Sequence, residues 1–209
     1  MIHKHRSFVI VAFLSLFLGV WTTVAHAAPD ARLRVQVVDQ KGAPVRDAVI
    51  EVMPAGGWSG PIRFPWSMAM AQRNQQFVPH TLIVAKGSTV AFPNLDQVRH
   101  SIYSFSKAAR FTIDLYGREQ NRTQKFPIAG TVALGCNIHD QMRGYIRVVE
   151  TPFADKSDGN GMVRLSGIPA GTATMTVWHP RLRAPDNVLT QKVALSSGEN
   201  AQKLVISLR

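Results

Sequence analysis

The sequence predicts an all-β protein. Three observations point there. Short runs of Val, Ile, Thr and Phe recur along the chain, several with the period-two alternation of a half-buried strand. Fifteen Gly and twelve Pro are spread between those runs, which excludes a helix bundle or coiled coil. No stretch reads as a helix longer than two turns. With 209 residues the chain is long enough for one or two compact domains. At 45% hydrophobic and 18% charged it can build a real core, which excludes a disordered tail-like protein. A single cysteine excludes an intramolecular disulfide.

The N-terminus reads as a secretory signal peptide spanning residues 1–27. Lys4 and Arg6 form a positive start, and Phe8 to Trp21 is an apolar run broken only by Ser15 and Gly19. Ala25-His26-Ala27 then offers a small-residue cleavage site after Ala27. The apolar run is shorter than the ~20 residues a spanning helix needs, and no later stretch is long and apolar enough to cross a bilayer. The expected location is the periplasm. Cleavage would remove two cations and no anions, leaving 22 Lys+Arg against 13 Asp+Glu, a net charge of +9.

Strands follow in order. Leu33–Val37 alternates apolar and polar, Gln40-Lys41-Gly42 turns, and Ala48–Val52 returns. Pro54 to Pro65 carries three Pro and three Gly and marks a boundary loop. A second set of strands is predicted at Thr81–Val84, Thr89–Phe92, Ser101–Phe105, Phe111–Leu115, Thr131–Cys136 and Tyr145–Val149. Their spacing suggests a sandwich or small barrel. After Pro152, four more are expected at Met162–Leu165, Thr172–Trp178, Lys192–Leu195 and Lys203–Leu208. The loop Asp155–Gly161 begins like a calcium loop but lacks the glutamate twelve positions on, so an EF-hand is rejected. These shifts divide the chain into 28–65, 66–150 and 151–209.

The chemistry concentrates in Gly135-Cys136-Asn137-Ile138-His139-Asp140-Gln141-Met142-Arg143-Gly144, between two predicted strands. Thirty-six residues before Cys136 lies His100, after the polar loop Asn94–Gln97. Two imidazoles and one thiolate in a plane, with a weak axial thioether, suit copper. Thiolate and thioether favour Cu(I), and imidazole serves both oxidation states. Zinc is the competing metal, although Met is a poor zinc ligand. A binuclear copper site would need a second cysteine. A cysteine hydrolase would need an oxyanion hole, and the strand–loop–strand context argues against one.

The Cys-x2-His-x2-Met loop with an earlier His before a strand resembles a type 1 copper cupredoxin, with the ligand spacing of amicyanin. The stretches Phe77–His80, Phe92-Pro93-Asn94, Arg99-His100, Tyr103–Ser106 and Gly135–Ile146 further resemble the cupredoxin-domain proteins often labelled methylamine utilisation proteins. This resemblance implies a Greek-key sandwich with one type 1 copper, its ligands His100, Cys136, His139 and Met142. Asn137-Ile138 departs from the proline that small cupredoxins commonly have before the second His. At the two ends, Gly42–Val49, Asp158–Gly161 and Ile168–Thr172 resemble the small transthyretin-like, carboxypeptidase-regulatory-like β-sandwiches, which implies that 28–65 and 151–209 form one such outer sandwich with the cupredoxin sandwich, 66–150, inserted in it.

These resemblances imply a non-enzymatic electron carrier, with His139 as the electron exit. Ser101 and Asn94 are candidates to tie the two ligand loops together. Gln141 is a weaker axial candidate than Met142. A copper-tolerance protein that sequesters or delivers the metal is the alternative. His80 and His179, with Met53, Met68 and Met70, are weighed as an auxiliary copper site against plain packing roles. The positive charge favours an acidic redox partner, such as a dehydrogenase, oxidase or cytochrome, or peripheral contact with an anionic membrane. Nucleic acid is discounted, because the cations are scattered and no recognition motif is present.

Overall fold

The computed structural model describes residues 30–209; the expected signal peptide lies outside the described residues. Sixteen strands and one short 3-10 turn make up the described chain. Strands β1 (Asp30–Asp39) and β2 (Val49–Pro54) open it. Then come β3 (Ala71–Arg73), β4 (Gln76–Val78), β5 (Thr81–Ala85), β6 (Thr89–Ala91), β7 (His100–Ser106) and β8 (Ala109–Tyr116). Next are β9 (Thr123–Lys125), β10 (Gly130–Gly135), β11 (Arg143–Val149) and β12 (Ala154–Lys156). The last four are β13 (Met162–Pro169), β14 (Gly171–Trp178), β15 (Val188–Leu195) and β16 (Gly198–Ile206).

The strands sort by position in the chain. The beginning and end of the described chain form two sheets, ordered β13-β1-β16 and β12-β2-β14-β15. Alternation on β1 turns Ala31, Leu33, Val35 and Val37 inward, where they meet Ile50, Val52, Met175 and Val177 from the facing sheet. β1 runs parallel to β16 along nine pairs, from Ala31 opposite Gly198 to Asp39 opposite Ile206. This pairing joins the two ends of the described chain and leaves everything between β2 and β12 as an excursion. The excursion leaves and returns side by side, because β12 pairs antiparallel with β2.

The middle strands form a five-stranded sheet, β5-β11-β10-β7-β8. It faces a second layer made of the hairpin β3–β4 and the pair β6–β9. Two isolated bridges, Ala69–Ala91 and Gln72–Asn94, link the parts of that layer. Between the layers lies a separate core that includes Phe77, Phe92, Phe126, Tyr116, Ile146 and Cys136. The protein is an all-β sandwich fold.

A third cluster joins the two cores. Val49, Ile83, Val149, Ala154 and Trp178 are buried together, with Phe64, Trp66 and Tyr145 packed against them. The Pro-rich segment after β2 is part of this seam. Phe64 stacks on Trp66 at 4.7 Å, and the Trp66 indole donates to the Ile83 carbonyl at 2.8 Å. Arg147 of β11 pairs with Glu51 of β2 across the seam and also donates to Thr131 Oγ1 at 2.9 Å.

Four strands have no counterpart in the sequence reading: β3, β4, β9 and β12. Each is three residues long, too short to display a period of two. The predicted strand ending at Cys136 stops one residue earlier, so the cysteine is the first residue of the loop.

Candidate metal centre

Two loops meet at one edge of the inner sandwich. The first runs from Pro93 to Arg99 and delivers His100 as the opening residue of β7. The second, Cys136 to Met142, joins β10 to β11. β10 pairs antiparallel with β11, which sets Gly135 opposite Arg143 and draws the loop ends together. The Met142 N–H donates to the His139 carbonyl at 2.8 Å and tightens the loop further. β10 also pairs with β7 at Gly135–Tyr103. That contact is close, since a Cβ on Gly135 would fall among the atoms of the Tyr103 ring.

The result is a convergence of donors. Nδ1 of His100 and Nδ1 of His139 each lie 3.8 Å from Cys136 Sγ. The three donor atoms all fall within 4.8 Å of one another. His100 is fully buried, Cys136 is buried, and His139 is partly exposed. Bonds of about 2.3 Å to sulfur and about 2.0 Å to nitrogen, opened to about 120°, would separate S and N by about 3.7 Å. The three side chains therefore suit a single first-row ion without rearrangement. Met142 is buried in the same core cluster as Cys136, whereas Gln141 is exposed.

The surrounding hydrogen bonds fix these groups. His100 Nε2 lies 2.8 Å from Asp96 Oδ2, which assigns the ring proton to Nε2 and leaves the Nδ1 lone pair facing the cysteine. Asp96 also accepts the N–H groups of Asn74 at 2.6 Å and Gln75 at 2.9 Å, at the tip of the β3–β4 hairpin. Partial burial raises the Asp96 carboxyl, but these N–H groups and His100 outweigh it and bring it below the usual aspartate value. Ser101 Oγ accepts the Asn137 N–H at 3.1 Å and lies 3.9 Å from Cys136 Sγ, so it links the two loops. Asn94 does not link them. Its amide donates to the carbonyls of Val98 and Tyr116, and its Oδ1 accepts from the Asp96 N–H, so it shapes the His100 loop and ties it to the end of β8.

Asp96 and the β3–β4 hairpin are the parts that sequence reasoning missed. The signal available was a carboxylate four residues before the histidine; the hairpin that braces it left none. A deeper support is the buried Tyr116. Its hydroxyl donates to the Phe92 carbonyl at 2.7 Å and accepts from Gln72. Burial pushes that phenol up to about 12.

The weighed auxiliary cluster does not assemble. Met70 lies in the inner core and Met68 packs against that core, while Met53 lies on β2 of the outer sandwich. His80 is exposed beside the Tyr145 ring, and His179 Nδ1 accepts the Arg181 N–H at 3.2 Å. Among the described residues, His100, Cys136 and His139 are the one group of three or more His, Cys, Asp and Glu side chains placed to share an ion.

No family model matches the chain, and no curated protein matches it. Solved structures do. A mutant amicyanin with Cu(I) is 22% identical, covering 40% of this chain and 82% of its own, at a TM-score of 0.37. A reduced form of another amicyanin mutant is 21% identical, covering 49% of this chain and 99% of its own, at 0.37. A purple cupredoxin from Nitrosopumilus maritimus is 21% identical, covering 39% of this chain and 96% of its own, at 0.35. These are likenesses to part of the chain, and both measures are low.

Proposed function

We propose that this chain is an exported mononuclear copper protein that carries single electrons between redox partners in the periplasm. The observation that carries the reading is the buried thiolate candidate, Cys136, with two imidazole Nδ1 atoms each 3.8 Å from its sulfur. Copper bound there would supply a one-electron couple between Cu(I) and Cu(II). Cys136, His100, His139 and Met142 would be the residues that hold it. Softness favours copper over zinc in this set.

The same arrangement explains a lone thiol in an exported chain, because a ligated thiolate is protected from oxidation. His139 is the more exposed imidazole. Leu95, Val98 and Ile138 are large apolar side chains left exposed on the two loops that carry the site. Such a rim suits brief protein contact better than metal storage. The partner would be an acidic dehydrogenase, oxidase or cytochrome, drawn by the positive charge of the chain. The inner unit, residues 66–150, would be the redox domain of the methylamine utilisation protein type. Residues 28–65 and 151–209 would form the flanking regulatory-like sandwich.

Copper titration with visible spectroscopy tests the reading. One Cu(II) per chain should give an intense thiolate-to-copper absorption, abolished in Cys136→Ser. A colourless Cu(II) form, or tighter binding of zinc, would overturn it. Met142→Leu should keep the colour and raise the midpoint potential. If neither changes, Met142 is not a ligand. Reversible, fast electron exchange separates a carrier from a sequestering protein, which would bind more than one copper and exchange slowly.

A further inference from the structure

Away from the metal centre, three loops of the outer sandwich enclose a cleft of about 530 Å³. One follows β1 (residues 39–46), one follows β14 (residues 179–181), and the third is the segment after β16. Main-chain contacts set their positions. Val38 bridges Pro44, Leu182 bridges Leu208, and the Arg209 N–H donates to the Arg181 carbonyl at 2.8 Å.

The lining is cationic. Lys41, Arg46, Arg181 and Arg209 are exposed there, and the buried His179 adds an imidazole. The one acidic residue in the lining, Asp39, is already engaged, since its Oδ1 accepts the N–H groups of Lys41 and Ala43, each at 2.8 Å. Arg46 has a loose neighbour in Asp47 at 3.9 Å, and Asp47 also lies 3.5 Å from Lys156. Lys41, Arg181 and Arg209 form no ion pair with a carboxylate side chain among the described residues. The Arg181 guanidinium uses Nε and Nη2 on the Arg209 main-chain oxygen and has donors to spare. Burial and the Arg181 charge lower the His179 pKa, and the nearby Asp47 opposes them.

A concave surface in which cations outnumber anions concentrates positive potential, and guanidinium groups match phosphate oxygens in pairs. We propose that this cleft is a binding site for a phosphate-bearing anion, with Lys41, Arg46 and Arg181 as the charge-pairing groups. It gives the flanking sandwich a function of its own, independent of copper. The chemistry fits a free phosphorylated solute or the headgroup of an anionic phospholipid.

The test uses the whole apo-protein and two probes: inorganic pyrophosphate, and vesicles of phosphatidylcholine with and without phosphatidylglycerol. Pyrophosphate should bind saturably and raise the unfolding midpoint. Binding should weaken at least tenfold in Lys41→Gln with Arg46→Gln. It should be unchanged in Lys125→Gln with Lys203→Gln, which removes the same charge from exposed positions outside the cleft. Vesicle binding that follows the same pattern identifies a lipid headgroup; pyrophosphate binding without vesicle binding identifies a soluble anion. Equal weakening in both double variants would reduce the effect to net charge and overturn the site. So would the absence of saturable binding to either probe in the unaltered protein.

Discussion

Asp96 shapes the candidate metal centre without being one of its donors. Its carboxylate accepts from His100 Nε2 and from two backbone N–H groups of the neighbouring hairpin, so one side chain aligns an imidazole and anchors a turn. A carboxylate behind a histidine makes the ring a stronger donor, and loss of such a partner commonly costs about 10–100-fold in metal affinity. Asp96→Asn should therefore weaken copper binding by about that factor, read by competition with a chelator. It should also raise the midpoint potential, because less negative charge favours Cu(I). The lowered carboxyl value has a sign for stability as well. The contribution is present above the ordinary aspartate range, near pH 4, and is lost as pH falls through the lowered value. Urea titrations of the apo-protein across acid pH should show a shallower acid loss in Asp96→Asn than in the unaltered chain.

At the scale of elements, β11 carries a close steric constraint. It leaves the metal loop at Arg143 and passes at once over β4. A Cβ on Gly144 would come within 2.7 Å of Phe77 Cβ, and Phe77 is buried in the inner core. The collision is with the base of the ring, which cannot swing aside. Overpacking of this kind costs about 1–3 kcal/mol. Gly144→Ala should lower the denaturation midpoint accordingly, with donor convergence preserved and copper colour retained at low temperature. The short strands show why parts of the fold were illegible. β3 and β4 turn through Asn74 and Gln75, both at positive φ, and the pairing is visible only once Asp96 caps that turn. Period-two reasoning works for β1, whose alternation runs along most of its length, and fails for β3, β4, β9 and β12.

Across the whole molecule, the seam between the two sandwiches combines an apolar cluster with one largely buried ion pair, Glu51 and Arg147. Burial raises the Glu51 carboxyl, and Arg147 opposes that rise. Removing one partner of such a pair leaves the other charge desolvated, which costs about 3–5 kcal/mol. Glu51→Ala should therefore destabilise the protein by about that amount in urea denaturation. The double change Glu51→Leu with Arg147→Met should recover most of the loss, because an apolar pair of similar volume avoids the uncompensated charge. If the single change costs nothing, the two sandwiches do not share a cooperative unit through this contact.

The amino-acid order alone specified the strand-rich character, the longer strands and the donor types, because those follow from local alternation, turn residues and the softness of sulfur and nitrogen. It also set Cys136 and His139 three residues apart, a spacing short enough to put both on one loop. Only the tertiary structure brought His100 across 36 residues to meet them, placed Asp96 behind its ring, and paired β1 with β16. Those relations rest on sheet register and on hydrogen bonds between distant segments, and no local pattern in the chain encodes either.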